Sequence, residues 1–310
     1  MDGEITRCTE ITLRRVKSFP RLAPAFFVFL WSTGFIGVKY GIPYAPPFTF
    51  VALRMAIASV LLALITFAIT KGFRLSKDGF WKSCLIGLAL HGAYLAGCFY
   101  AVSQGMTAGI VALIVCLQPV IVSVLAIVFL GESLEVRTVI GLLLGLSGVS
   151  LVIVPKIVGQ GDAHISGLSL LACIIALFGG SLGTLAQKKF GSHIEALPGV
   201  TVQYGATAIV IGVLALLSEN PSIEWTGKFI FSMIWLIVAL SLGAILLLFF
   251  LLQRGSAASV SSLYYLVPPV TALMAYLLFD EEISYLTGVG TIIAVSGVWL
   301  VTKKHPQQNR

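Results

Sequence analysis

The residues Gly179-Gly180-Ser181-Leu182-Gly183 fit the G-x-S-x-G pattern in which serine hydrolases present their nucleophile. That elbow needs a strand-to-helix turn. Here the stretch lies inside an apolar run of helical length, where Gly179 and Gly183 form a small-xxx-small packing face. Packing is the better reading, and an intramembrane hydrolase, which would have to bring Ser181 to His91, stands as the alternative from another class. All thirteen Asp and Glu fall in loops or at the ends of apolar runs, with Glu132 and Glu281 in short turns, so no buried carboxylate is available as a proton relay. No Gly-x4-Gly-Lys-Ser/Thr loop is present for ATP. The five cysteines, Cys8, Cys84, Cys98, Cys116 and Cys173, are odd in number, contain no CxxC pair and mostly sit in apolar runs. Neither a metal site nor a cofactor is expected.

Groups that could bind a ligand are better represented. His91 is the one ionisable side chain near the middle of its apolar run, and Tyr94 at i+3 and Cys98 at i+7 place a polar stripe on one helix face. Gln118 stands beside Pro119, while Ser261, Ser262, Tyr264 and Tyr265 shortly precede Pro268 in another run. Trp31 and Ser32 lie a third to half of the way along the first run. A lining of this kind suits a zwitterion or an amphiphilic metabolite, although Tyr and Ser serve equally as hydrogen-bonding glue between helices. Pro119 and Pro268 each remove a backbone hydrogen bond, and are expected to bend their helices and free carbonyls beside a cavity. Leu142 is expected to face lipid.

The elements that must position these groups are set by composition. The 310 residues are 58% apolar, include 31 Gly and are only 11% charged, with a mean hydropathy of +1.00. A soluble globule carries about a quarter charged residues, so a soluble enzyme, a nucleic-acid-binding domain and a disordered chain are poor readings. Ten apolar runs are long enough to span a bilayer: 24–42, 48–70, 82–103, 107–130, 136–154, 166–188, 197–218, 229–252, 256–279 and 285–301. Basic residues precede the first run as in a signal sequence. However, the Ala-x-Ala at this run, Ala23 to Ala25, comes before the apolar core, so the run is expected to be retained. Sixteen Lys and Arg fall on the side of the termini against three, Lys39, Lys156 and Lys228, on the other. Both termini are therefore expected in the cytoplasm.

A shift of 149 residues superposes the chain on itself: Gln104 on Gln253, Ala108 on Ala257, Pro119 on Pro268, Glu132 on Glu281, Gly141 on Gly290, Ser147-Gly148-Val149 on Ser296-Gly297-Val298, and Gly34 and Lys39 on Gly183 and Lys188. The expected fold is an all-α integral membrane protein of ten transmembrane helices in two five-helix copies. It divides into a basic segment 1–23, a first copy 24–154, a linker 155–165, a second copy 166–302 and a tail 303–310. Five is odd, so the second copy is inverted about an axis in the membrane plane, the symmetry by which alternating-access carriers exchange their two open states.

Trp31-Ser32-Thr33-Gly34-Phe35 leading to Arg54, then Pro119, the Gly131-Glu132 turn and the Gly141 to Gly148 helix, echoed by Pro268, Glu281 and Gly297, resembles the EamA-type family of the drug/metabolite transporter superfamily. The resemblance runs from about residue 24 to 302. It implies an inner-membrane, multi-pass carrier whose relatives move amino acids, nucleotide sugars and drugs. An Arg at the place of Arg54 is implied to be shared among carriers of unlike substrates. Snorkelling, or capping of neighbouring carbonyls, is therefore favoured over binding an anion there. The expected function is export, exchange or facilitated diffusion of a small polar metabolite such as an amino acid; import by the same architecture is the alternative. The expected partners are the substrate and the bilayer, without nucleic acid, and a homodimer is compatible with the sequence.

Overall fold

The computed structural model describes residues 22–34, 37–38, 40–70, 73–104, 106, 111, 114–133, 135–158, 166–279 and 285–302. Among them there is no strand. The described helices are α1 (Leu22–Gly34), α2 (Pro47–Thr70), α3 (Lys77–Ser103), α4 (Gln118–Leu130), α5 (Val136–Val158), α6 (Gly167–Phe190), α7 (Ala196–Ser218), α8 (Gly227–Arg254), α9 (257–279) and α10 (Tyr285–Thr302). Eight are long and apolar enough to cross a membrane, and α1 and α4 are shorter apolar helices. Lys39, Glu281 and the basic residues of both termini lie outside the described residues.

Polar side chains in the middle of the helices mostly turn inward and many large apolar ones turn outward, the reverse of a soluble helix. On α7, Gln203, Tyr204 and Thr207 are buried, while Ile209, Val213, Leu216 and Leu217 are exposed. In lipid that pattern keeps polar groups on the protein side, where partners are available. Ser76, Ser166, Thr226 and Ser256 start α3, α6, α8 and α9 by accepting a hydrogen bond from the N–H three residues on. Gly131 ends α4 at a φ of 67°, a left-handed conformation that no neighbour enforces but that a side chain would strain.

Helices that correspond under the 149-residue shift pack together: α2 on α7, and α5 on α10. At the α5–α10 crossing a Cβ on Gly141 would lie 2.7 Å from the Gly297 carbonyl, and one on Gly148 would lie 2.6 Å from the Gly290 carbonyl. The shift carries each of these contacts into the other. Irregularities correspond as well, since α3 opens into a π-helical turn at Leu88–Ala93 and α8 into one at Leu236–Ala244. Leu142 is buried at 4% exposure, so the expectation that it faces lipid is wrong: the crossing turns it inward, and the neighbouring Leu143 is the exposed one.

Candidate substrate site

α4 begins at a break and α9 contains one. Cys116 and Leu117 form a turn just before α4, and Ser262–Leu266 winds as a tight 3-10 segment inside α9. Pro119 and Pro268 stand in the first turn of the α-helix that follows each break. Pro119 thus stands at a helix start and not in mid-helix, whereas Pro268 stays inside α9, directly after its 3-10 segment. At the start of α4, Pro119 loses an N–H that would have had no helical partner, and its fixed φ suits the helix start.

An aromatic cluster gathers at the two breaks. The Phe27, Trp31 and Tyr264 rings meet with centroids 5.3 to 5.6 Å apart, the Trp31–Tyr264 pair edge to face. Tyr94 stands beside Trp31, Cys98, Cys116 and Tyr264. Ser32 donates to the carbonyl of Val28 (2.7 Å) and to that of Val267 (3.3 Å), tying α1 to the residue before Pro268. Gln118 and Tyr94 share the space above Gly180, where a Cβ would lie 2.6 Å from Gln118 Nε2 and 3.0 Å from Tyr94 Cδ2. The Tyr265 ring packs on Gly145 of α5, with Cys116 nearby. Its hydroxyl is buried and has no hydrogen-bond partner, and the same holds for Thr184 Oγ1, one turn beyond Gly180 on α6. Ser261 donates within its own helix to the Ala258 carbonyl (3.2 Å).

His91 and Arg54 belong to a second cluster. His91 Nε2 pairs with Gln203 Oε1 (3.3 Å), Gln203 donates to Gln187 (3.1 Å), and the His91 ring meets Tyr204 edge to face at 4.8 Å. Arg54 Nε donates to Ser241 Oγ (3.0 Å), and the Tyr204 hydroxyl donates to the Ser241 carbonyl (2.5 Å). Arg54 is 4% exposed, so it does not snorkel. The expected single stripe of His91, Tyr94 and Cys98 is split, because the π-helical turn changes the angular spacing between His91 and Tyr94. Tyr94 and Cys98, which follow it on regular helix, stay together.

Hydrolase geometry is not formed. Ser181 Oγ donates to the Leu177 carbonyl of its own helix (2.7 Å), while His91 is engaged with Gln203. Gly179 and Gly183 seat Ala93 and Leu90 of α3. Among the described residues no group of His, Cys, Asp and Glu could hold a metal ion. Gly145, Gly180 and Cys116 shape the site, yet nothing in their own identity marks them. The signal was in the repeat, where Gly180 corresponds to Trp31 and Cys116 to Tyr265.

Residues 22–154 and, separately, residues 167–303 match the EamA-like transporter family. The chain belongs to the EamA-like transporter family. This EamA-like transporter is 28% identical over 293 residues to a Bacillus subtilis protein named Uncharacterized transporter YvbV, covering 94% of each chain. It is 25% identical over 286 residues to an Escherichia coli protein named Probable amino-acid metabolite efflux pump, covering 88% of this chain and 91% of that one. It also aligns with a solved crystal structure at a TM-score of 0.76 and 22% identity, over 91% of this chain and 95% of the other, which shows a common fold. The chain is thus a multi-pass membrane transporter.

Proposed function

We propose that the chain is a secondary carrier that exports or exchanges a small polar metabolite, with an amino acid the first candidate, by alternating access between two inverted five-helix repeats. Both termini lie in the cytoplasm and the spans cross the inner membrane. The observation that carries this reading is the pair of helix breaks before Pro119 and Pro268, which stand 149 residues apart and border one aromatic cluster with an unpartnered Tyr265 hydroxyl. Broken helices at the interface of repeats are where carriers of this kind bind. The reciprocal glycine contacts of α5 and α10 support the repeat, and the sixteen-to-three distribution of basic residues supports the orientation.

Trp31, Tyr94, Gln118, Tyr264 and Tyr265 line the site, with Ser32 holding its α1 wall to α9. Arg54 and His91 brace the bundle beside it. Aromatic faces with neutral hydrogen-bonding groups suit a zwitterion better than a strongly charged ligand. The name of the Escherichia coli relative supports the choice of amino acids and of export. The test is counterflow of radiolabelled amino acids, nucleotides and sugar derivatives in proteoliposomes, in parallel with labelling by a fluorophosphonate. Saturable counterflow of one class, with no serine labelled, is expected. Labelling of Ser181 with no counterflow in any class would overturn the reading.

A further inference from the structure

The short turn between α8 and α9 is gripped from two sides. Lys188 of α6 donates Nζ to the carbonyls of Leu252 (2.7 Å) and Gly255 (2.6 Å), at the C-terminal end of α8. Glu132, in the α4–α5 turn, accepts from the Ala257 N–H (3.2 Å), at the N-terminal end of α9. Each charge has the sign that its helix end favours. Ser256 already caps α9 from within, so Glu132 adds a link between elements and not the missing cap of one helix.

The gripped elements also carry the substrate site. Gly180 stands eight residues before Lys188 on α6, and Tyr265 stands eight residues after Ala257 on α9. At the helical rise both distances come to about 12 Å. The grip therefore lies about two turns from the site, at the end of the bundle that the orientation above assigns to the cytoplasm.

The sequence repeats the same charges. Shifted by 149, Lys188 falls on Lys39, Glu132 on Glu281, Ser256 on Thr107 and Ala257 on Ala108. Over the whole chain, Lys39 with Lys188 and Glu132 with Glu281 are the only identical charged residues at that spacing; Arg54, for comparison, falls on Gln203. Lys39 and Glu281 lie outside the described residues.

We propose that Lys188 and Glu132 form a clasp that shuts the cytoplasmic end of the substrate path. The structure has the cytoplasmic clasp made. Weakening the clasp shifts the population toward the state in which the cytoplasmic end is open. The proposal rests on the carrier reading, and its test separates the two.

The test uses a full chain in which Cys116 is the sole cysteine, the other four being replaced by Ser, in sealed vesicles of either orientation treated with an impermeant maleimide. Lys188→Met should raise the rate of Cys116 labelling from the cytoplasmic face about tenfold and lower it from the outer face. Lys188→Arg keeps the charge and should stay within about twofold of the parent. Glu132→Ala removes the other half of the clasp without touching α6, and must change the rates in the same direction as Lys188→Met. A parent that is labelled while neither Lys188→Met nor Glu132→Ala is faster from the cytoplasmic face overturns the clasp alone. So do rates that rise from both faces together, which would indicate loosened packing. Cys116 unlabelled from both faces in every variant overturns the carrier reading and the clasp with it.

Discussion

At the α5–α10 crossing, Gly141 faces the Gly297 carbonyl and Gly148 the Gly290 carbonyl, and the 149-residue shift turns one contact into the other. Around the breaks of α4 and α9, the same shift sets Trp31 against Gly180, Tyr94 against Gly243, Gln118 against Val267 and Tyr265 against Cys116. One region keeps its residues in both halves, and the other pairs nearly every large or polar residue with a small or apolar one. A crossing on which two halves must move needs the same close backbone approach in each. A site that holds an asymmetric molecule has no such need, and its walls diverge.

The crossing should be the more brittle region. A Cβ on Gly148 would lie 2.6 Å from the Gly290 carbonyl and 2.9 Å from Ala294 Cα, and one on Gly297 would lie 2.6 Å from the Gly141 carbonyl and 2.9 Å from Gly145 Cα. These are backbone atoms that cannot swing aside, and overpacking of this kind costs about 1–3 kcal/mol or more. Gly148→Val and Gly297→Val should each lower the yield of monodisperse protein extracted from membranes about tenfold, and by similar amounts. Tolerance of one and not the other would break the equivalence of the two halves at this crossing.

Much of this could be read in the sequence because lipid imposes strong rules. Apolar runs, paired glycines and paired prolines are visible without coordinates, and so were Trp31, Ser32, Tyr94, Gln118, Tyr264 and Tyr265 as candidate lining residues. What escaped depended on local helix geometry. The π-helical turn at Leu88–Ala93 sends His91 to Gln203 while Tyr94 joins Trp31, and no spacing rule for a regular helix foresees that split. Leu142 escaped because apolar side chains cover both sides of α5, and chiefly the glycines Gly141, Gly145 and Gly148 mark the packed one.

The smallest effect is expected at His91. His91→Gln can keep a hydrogen bond to Gln203 and loses the ring contact with Tyr204, so thermal stability in detergent should fall by about 1 kcal/mol. The apparent affinity in counterflow should stay within about twofold of the parent. A loss of affinity larger than that seen on altering Tyr94 would move His91 from the brace into the site, and blur the boundary between the two clusters.

The claim that the diverged cluster is the site is tested most directly by comparing Tyr94→Ala and Tyr265→Ala with Leu143→Ala, a change on an exposed face of α5, in the counterflow assay at equal protein levels. The account predicts that the half-saturating substrate concentration rises about tenfold in both tyrosine variants, with altered preference among substrates, and is unchanged in Leu143→Ala. Tyrosine variants that transport with the parent's affinity and selectivity would contradict it, leaving the two prolines beside helix breaks with no ligand between them.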